Sequence, residues 1–150
     1  MDDATIAAAV ALRFDPTTMT APTGYTAVAN STHLLDVGIT GLPCVRIFEG
    51  DEHIEYDPGL SRVVDLDFIA RFYYSLAAPL PTVMAGLYAW RPVLRNRLPT
   101  SSADTMTLGL SYVEWARITD IRMGWQMPYG SEFYIGFELP IRVSVAEAVT

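Results

Sequence analysis

The chain has 150 residues, 51% of them hydrophobic, and a formal net charge of −7. This length predicts one domain with a sizeable core, and the acidic balance argues against a protein that wraps nucleic acid, which needs a concentrated positive surface. No apolar run reaches the roughly 20 residues of a membrane-spanning helix. The acidic start, Met1–Asp3, lacks the positive charge of a secretion signal, so we expect a cytoplasmic origin.

The first predicted element is a helix from residue 4 to about residue 14. Asp2 or Asp3 can accept the free amide hydrogens of its first turn, which favours a helix start here. Apolar side chains recur every four residues and form a narrow stripe, at Ile6, Val10 and Phe14. The helix is therefore amphipathic and can lie on a sheet or on a neighbouring subunit.

A long loop is predicted over residues 16–43, which are rich in proline, glycine and small polar residues. Two short strands are possible within it, Tyr25–Ala29 and His33–Ile39. The threonine-rich beginning, Thr17–Thr20, is expected to be poorly ordered in the absence of a partner. A loop of this length inside a small domain indicates a functional or mobile segment.

A β-hairpin is predicted after this loop, with strands Cys44–Glu49 and Glu52–Tyr56 joined by a turn at Gly50–Asp51. Five carboxylates surround His53, which raises the possibility of a calcium site. Their spacing differs from that of the loop that wraps calcium in EF-hands. A solvated hairpin tip is the preferred interpretation.

The next two elements are a long strand, Arg62–Ser75, and the main helix. Even positions of the strand from Val64 to Tyr74 are apolar, so they share one face. Thr82 is predicted to cap the helix, which runs to about Leu98. Its apolar residues step by four, three, four and four, at Val83, Leu87, Trp90, Leu94 and Leu98. Pro92 is expected to kink or break it.

A polar loop at 99–107, expected to be mobile, precedes a third long strand, Val113–Trp125. Its apolar face is interrupted at Arg117 and Thr119, which indicates a bulge or a face shared with a partner. A turn is then predicted at Met127–Gly130, which joins this strand to the last one.

The last predicted strand spans Phe133–Val145 and pairs with the third as an antiparallel hairpin. Every odd position in it is apolar, so one face needs cover, which the two helices can supply. Pro140 has no amide hydrogen for a ladder, so it favours an edge strand or a bulge. The predicted class is α+β: a mainly antiparallel sheet with a kinked helix and an N-terminal helix packed on one face, in one domain over 1–150.

Catalytic and metal-binding patterns are absent from the sequence, which predicts a protein that is not an enzyme and has no cofactor. It contains no nucleophile elbow, phosphate-binding glycine loop or zinc-protease motif. Cys44 is the only cysteine and is expected to be buried and inert. A Cys44–His dyad with His33 or His53 stays open, because spatial closeness is invisible in sequence.

The order of elements resembles the tail terminator (tail completion) proteins of long-tailed bacteriophages. The resemblance is carried by the strand Val64–Ser75, the helix Val83–Leu98 with Trp90, and the hairpin Ile118–Val145 with its Tyr129–Gly130 turn. It covers about the last ninety residues and is one of layout.

Several expectations follow from this resemblance. It implies helices on one side of a mainly antiparallel sheet and a homo-oligomeric ring of six copies in the virion neck. The ring would cap the tail-tube protein, end tail polymerisation and join the head–tail connector protein. Genomic DNA would pass through its lumen without sequence-specific binding, and the protein would carry out no catalysis.

The candidates for the subunit interface of such a ring are polar and aromatic residues. These are Arg91, Arg95, Arg97, Arg117, Tyr134, Glu138 and Arg142. Two alternatives remain open. One is another neck or head–tail connector protein or a tail-tube relative, and the other is a small-ligand-binding α+β domain with a pocket between sheet and helix.

Overall fold

Six strands and two helices make up the part of the chain that the computed structural model describes, residues 2–56, 59, 61–76, 80–98 and 107–148. In chain order they are α1 (Asp3–Leu12), β1 (Ser31–Thr32), β2 (Cys44–Tyr56), β3 (Ser61–Leu76), α2 (Leu80–Arg95), β4 (Val113–Ile118), β5 (Arg122–Tyr129) and β6 (Glu132–Ala148). The first helix starts as predicted, because the Asp2 carboxylate accepts the amide hydrogen of Ala4 at 3.0 Å.

The strands form one mixed sheet in the order β1-β2-β3-β6-β4, with β5 also paired to β6. Only the short β1–β2 pair is parallel, and every other pair is antiparallel. The predicted α+β class with a mainly antiparallel sheet is therefore confirmed. Strand β6 lies inside the sheet, with β3 on one side and β4 and β5 on the other.

One face of the sheet, the inner face, holds the main core. Val64 pairs with Val145 and Phe72 with Phe137, so the predicted apolar faces of β3 and β6 lie side by side and are buried. Both helices place their stripes in the same cluster: Ile6 and Val10 from α1, with Phe14 just after its end, and Val83, Leu87, Trp90 and Leu94 from α2. The Trp90 ring lies 4.9 Å from that of Phe72. Burial of these aromatic rings removes a large apolar area from water.

The predicted bounds of the main helix are corrected at both ends. Helix α2 starts at Leu80, so Thr82 lies inside its first turn and is not the cap. It ends at Arg95, and the chain continues through a turn to the buried Leu98. The helix is continuous through Pro92, so the proline does not divide it into two helices. The Pro92 side chain is exposed.

The predicted turn at Gly50–Asp51 is wrong, because β2 continues straight through these residues. Its ladder with β3 shifts register between Glu49 and Glu52, which makes this stretch a β-bulge. A Cβ atom at Gly50 would lie 3.0 Å from the carbonyl oxygen of Asp67, so the glycine permits a close approach of two backbones. The hairpin partner of β2 is β3, and most of the connecting residues 57–60 lie outside the described ones.

The long segment 16–43 contains neither of its two predicted strands. Within it only Ser31–Thr32 is a strand, parallel to Val45–Arg46 of β2. Its threonine-rich start is packed rather than extended, since Met19 is buried and its amide donates to the Asp15 carbonyl at 2.9 Å. The loop predicted to be mobile at 99–107 falls, except for Thr107, outside the described residues.

The predicted third strand is two strands, and Pro140 faces the break between them. Strand β4 ends at Ile118 and β5 begins at Arg122, and the amide of Thr119 donates to the Pro140 carbonyl at 2.9 Å. The edge-strand interpretation of Pro140 is wrong because β6 is paired on both sides. Pro140 has no amide hydrogen to donate, and it lies opposite the interruption between β4 and β5, where the hydrogen-bond ladder is irregular.

The alternation predicted for the third strand also fails, because the register shifts between Val113 and Trp115 and brings Ala116 to the core. Met127 belongs to β5, so the turn of the final hairpin is shorter than predicted, at Gly130–Ser131. Gly130 has a φ of 62°, a left-handed conformation that suits glycine in a two-residue turn. The antiparallel hairpin itself is confirmed.

Candidate interaction surfaces

The face of the sheet opposite the helices, the outer face, carries a second and smaller cluster of buried residues. Its members are Cys44, Tyr73, Met127 and Tyr134, with Ile39, Leu42 and Tyr129 packed against them. The rings of Tyr73 and Tyr134 meet edge to face at 5.2 Å. Residues of the segment 16–43 therefore cover one end of the outer face.

Arg46 is fully buried beneath this segment and binds neutral oxygens only. Its Nη1 donates to Asn30 Oδ1 at 2.7 Å and to the Val45 carbonyl at 3.0 Å, and Nη2 donates to the Gly38 carbonyl at 3.0 Å. Its Nε donates to Tyr129 Oη at 3.2 Å. Among the described residues no carboxylate forms an ion pair with this guanidinium. The hydrogen bonds compensate for the buried charge and tie the segment to the sheet.

The Tyr129 hydroxyl extends this network to a turn at Leu34–Val37, which we call the apolar tip. Its oxygen lies 3.1 Å from the Leu35 carbonyl and closer still to the Val37 carbonyl, and its single hydrogen serves one of them. The side chains of the tip point to solvent, with Leu34 51%, Leu35 46% and Val37 38% exposed. A fixed backbone thus displays three apolar side chains around the exposed Asp36.

A groove on the inner face lies between α2 and β5, and we call it the aromatic groove. It has a volume of about 220 Å³ and is lined by Met84, Leu87, Tyr88, Arg91, Met123, Trp125 and Phe137. Tyr88 is 65% exposed and Trp125 is 46% exposed. The Arg91 guanidinium lies 5.2 Å from the centre of the Phe137 ring, a cation–π distance. The groove combines aromatic, methionine and arginine side chains, the types enriched at protein interfaces.

Several charged side chains on the rest of the outer face are paired with one another. Arg142 donates to both oxygens of the Asp67 carboxylate, at 2.8 and 3.1 Å, and His53 Nε2 lies 3.3 Å from the same group. The bonds from Arg142 hold the pKa of Asp67 below its usual value. Arg71 lies 3.5 Å from Glu138 in the next strand. These pairs join β3 to its neighbours.

The seven predicted interface residues fall into two groups. Arg95 and Arg117 are exposed, and Arg117 stacks 3.8 Å above the Trp115 ring. The other five are less exposed and contact their own chain. Arg91 lies in the aromatic groove, Tyr134 lies in the second cluster, and Arg97 donates to the carbonyls of Arg13 and Thr18 at 2.7 Å each. Glu138 pairs with Arg71, and Arg142 pairs with Asp67.

Comparisons with known proteins give no family for this chain. No model of a known protein family matches it, and no curated protein matches it significantly. The tail-terminator resemblance is therefore supported by the layout of elements alone, and any functional assignment depends on the surfaces described above.

Cys44 has the properties of a structural thiol. It is fully buried, and burial raises the pKa of its thiol to about 11. His53 lies nine residues further along the same strand, which separates the two by about 30 Å. A Cys44–His53 dyad is therefore wrong. Across the described ranges, no three His, Cys, Asp or Glu side chains gather in a way that could hold a metal ion.

A cavity of about 400 Å³ lies where the ligand-binding alternative would place its site, between α2, the end of β3 and the segment 16–43. Its lining is Gly24, Tyr25, Thr26, Leu42, Pro43, Tyr74, Ser75, Thr82 and Val83. These residues supply hydroxyl and backbone groups without a charged side chain.

In the parts of the chain that are described, no helix has the length and apolar character to cross a membrane.

The apolar tip and the aromatic groove were not predicted from the sequence. Tyr88 lies off the buried stripe of α2, and an apolar residue off the stripe of an amphipathic helix is a signal that could have been used. The Leu34–Leu35 pair inside a polar loop is a second such signal. The sequence contains no signal for the hydrogen bond between Arg46 and Tyr129, because 83 residues separate them in the chain.

Proposed function

We propose that this protein is a structural subunit of a bacteriophage virion that assembles head to tail into a ring, as tail terminator proteins do. One observation carries the proposal: large apolar side chains stand exposed on opposite faces of the sheet, in the apolar tip and in the aromatic groove. Such patches on a small protein indicate contacts with other proteins. Two different patches on opposite faces suit a contact that repeats from copy to copy.

Within the proposed ring, six copies cap the tail tube, end its growth and present a surface to the head–tail connector. The net charge of −7 and the self-paired charges of the outer face support a lumen through which DNA slides without being held. A neck connector or a tail-tube relative would use the same kind of contact with different neighbours. The exposed surfaces favour an assembly role over a ligand-binding one.

Mass photometry and negative-stain electron microscopy of the purified full chain test this proposal. The expected result is a discrete population of closed rings with a central hole, at six times the mass of the monomer. A protein that remains monomeric at all concentrations up to several hundred micromolar, with and without added tail tubes, would contradict it. Thermal-shift screening against metabolites tests the ligand-binding alternative, for which a reproducible rise in Tm with one compound class is the expected result.

A further inference from the structure

We propose that the apolar tip of one copy docks into the aromatic groove of the next copy, with Asp36 facing Arg91 across the contact. This inference rests on the proposed ring and names the two surfaces that build it. Each surface is exposed in the single chain. The tip carries protruding apolar side chains and a carboxylate, and the groove offers an apolar recess and a guanidinium group.

The apolar tip is held in shape before any partner arrives. Its turn is closed by a hydrogen bond from the Val37 amide to the Leu34 carbonyl at 3.4 Å, and the Leu34 amide donates to Thr32 Oγ1 at 3.0 Å. The Arg46 and Tyr129 network anchors the remaining carbonyls from below. Because little backbone freedom is lost on docking, a small tip of this kind can bind with useful affinity.

The aromatic groove has room for one of these side chains. A buried apolar cavity of about 150 Å³ accepts a benzene molecule, and the groove is larger, at about 220 Å³. Its walls are the rings of Tyr88 and Trp125 and the flexible thioethers of Met84 and Met123. Methionine adapts its shape to an entering aliphatic side chain, so Leu35 fits the groove in size and chemistry.

Charge sets the partner and the orientation. Every copy carries a formal charge of −7, so two copies repel in general and an attractive contact needs a local positive group. Arg91 supplies that group in the groove, and the exposed Arg95 follows one helical turn later. Asp36 supplies the matching carboxylate between Leu35 and Val37. Opposite charges at an interface fix its register and reject wrong partners.

Placement makes the contact head to tail. The tip lies over the outer face of the sheet, bound to Tyr129, whereas the groove lies on the inner face beside α2. Two copies that share a two-fold axis would pair each patch with itself or use both patches at once and stop at a dimer. Successive use of tip and groove leaves one of each free on every growing assembly, and closure into a ring uses up the last pair.

The test uses charge reversal in the full chain. Asp36→Arg and Arg91→Asp are each expected to lower the assembled fraction in mass photometry at least tenfold, and the double variant is expected to restore it. Arg122→Asp is the matched control, because it makes the same charge change on β5 outside the groove and is expected to assemble like the unaltered chain. Far-ultraviolet circular dichroism and Tm confirm that each variant is folded.

A crosslinking measurement tests the contact independently of charge. Leu35→Cys and Tyr88→Cys variants are mixed under mild oxidation, and a disulfide-linked dimer is expected in the mixture but not with either variant alone. Rings that form normally in both charge-reversal variants, with no crosslink in the mixture, would overturn this contact and leave the proposed function standing. A double variant that folds but does not assemble would overturn the Asp36–Arg91 pairing. An unaltered chain that never leaves the monomeric state would overturn both proposals.

Discussion

The Nε–H of Arg46 donates to the hydroxyl oxygen of Tyr129 over 3.2 Å and joins two strands that are not neighbours in the sheet. The Arg46 guanidinium also lies 5.4 Å from the centre of the Tyr129 ring. Between them the two side chains bind the carbonyl groups that shape the apolar tip. A buried cation, for which the described residues supply no carboxylate partner, thus determines where an exposed loop lies.

Replacing Arg46 with methionine is expected to lower the free energy of unfolding by about 2 kcal/mol, because the partly buried oxygens of Asn30 and Gly38 lose their donors. The removal of a buried charge offsets part of that loss. Urea unfolding followed by circular dichroism measures the difference. Arg95→Met, at an exposed position, is the control and is expected to change stability by no more than about 0.5 kcal/mol. Equal stability of the Arg46 variant and the unaltered chain would contradict this account.

The Asp67–Arg142 pair is expected to make stability depend on pH in the acid range. The folded pKa of Asp67 lies below its ordinary value of 3.8. The ionised carboxylate therefore stabilises the fold fully above pH 3.8, and this stabilisation is lost as the pH falls through the folded pKa. Arg142 faces the carboxylate from β6 and His53 from β2, and Asp65 lies two residues away along β3.

Asp67→Asn is expected to cost about 0.5–1 kcal/mol at pH 7, the range of partly exposed ion pairs. The difference from the unaltered chain should begin to shrink as the pH falls below 3.8 and should vanish below the folded pKa of Asp67, as urea unfolding at a series of pH values would show. Glu114→Gln, at an exposed position, serves as the control and should show no such trend. A difference that is constant with pH would mean that the charge of Asp67 contributes nothing.

Gly136→Ala is expected to be strongly destabilising. An added Cβ would lie 1.7 Å from the carbonyl oxygen of Phe72 on the neighbouring strand, and a backbone atom has no room to yield. Overpacking of this kind costs about 3 kcal/mol or more, which thermal unfolding would reveal as a large fall in Tm. At Gly38 no atom lies within 4 Å of the added Cβ, so Gly38→Ala is the matched control and should leave Tm nearly unchanged.

Trp90 and Tyr88 offer a contrast between the two sides of one helix. Trp90→Ala removes a fully buried ring and is expected to cost about 3–5 kcal/mol of stability. Tyr88→Ala removes a ring that is 65% exposed and should change stability by about 0.5 kcal/mol or less. Chemical unfolding of both variants decides the matter. A large loss for Tyr88→Ala would mean that this ring supports the fold rather than a partner.

Cys44 is expected to react slowly with thiol reagents in the folded protein. At pH 8 a thiol with a pKa of about 11 is only about one part in a thousand thiolate, and the side chain is also buried. Labelling with a maleimide or an aromatic disulfide should be slowed at least a hundredfold relative to the chain in denaturant. Rapid labelling of the native protein would show that the thiol is accessible and would reopen a reactive role.

The sequence alone determined which residues of β3, β6 and α2 face the main core. A strand turns successive side chains to opposite faces and a helix repeats every 3.6 residues, so apolar periodicity states the buried face wherever an element is regular. Val64 to Phe72, Ile135 to Val145 and the stripe from Val83 to Leu98 all follow this rule. Phe133 departs from it, at 54% exposed.

Only the tertiary structure decided how these elements meet. The same local residues suit either a turn or a bulge at Gly50–Asp51, and the backbone of Asp67 on the adjacent strand selects the bulge. Pro140 looks like an edge residue until β4 and β5 are placed on the far side of β6. Such outcomes depend on contacts between residues far apart in the chain, which leave no periodic trace in the sequence. The apolar tip and the aromatic groove arise in the same way, from the Arg46–Tyr129 bond across the outer face and from the packing of α2 beside β5.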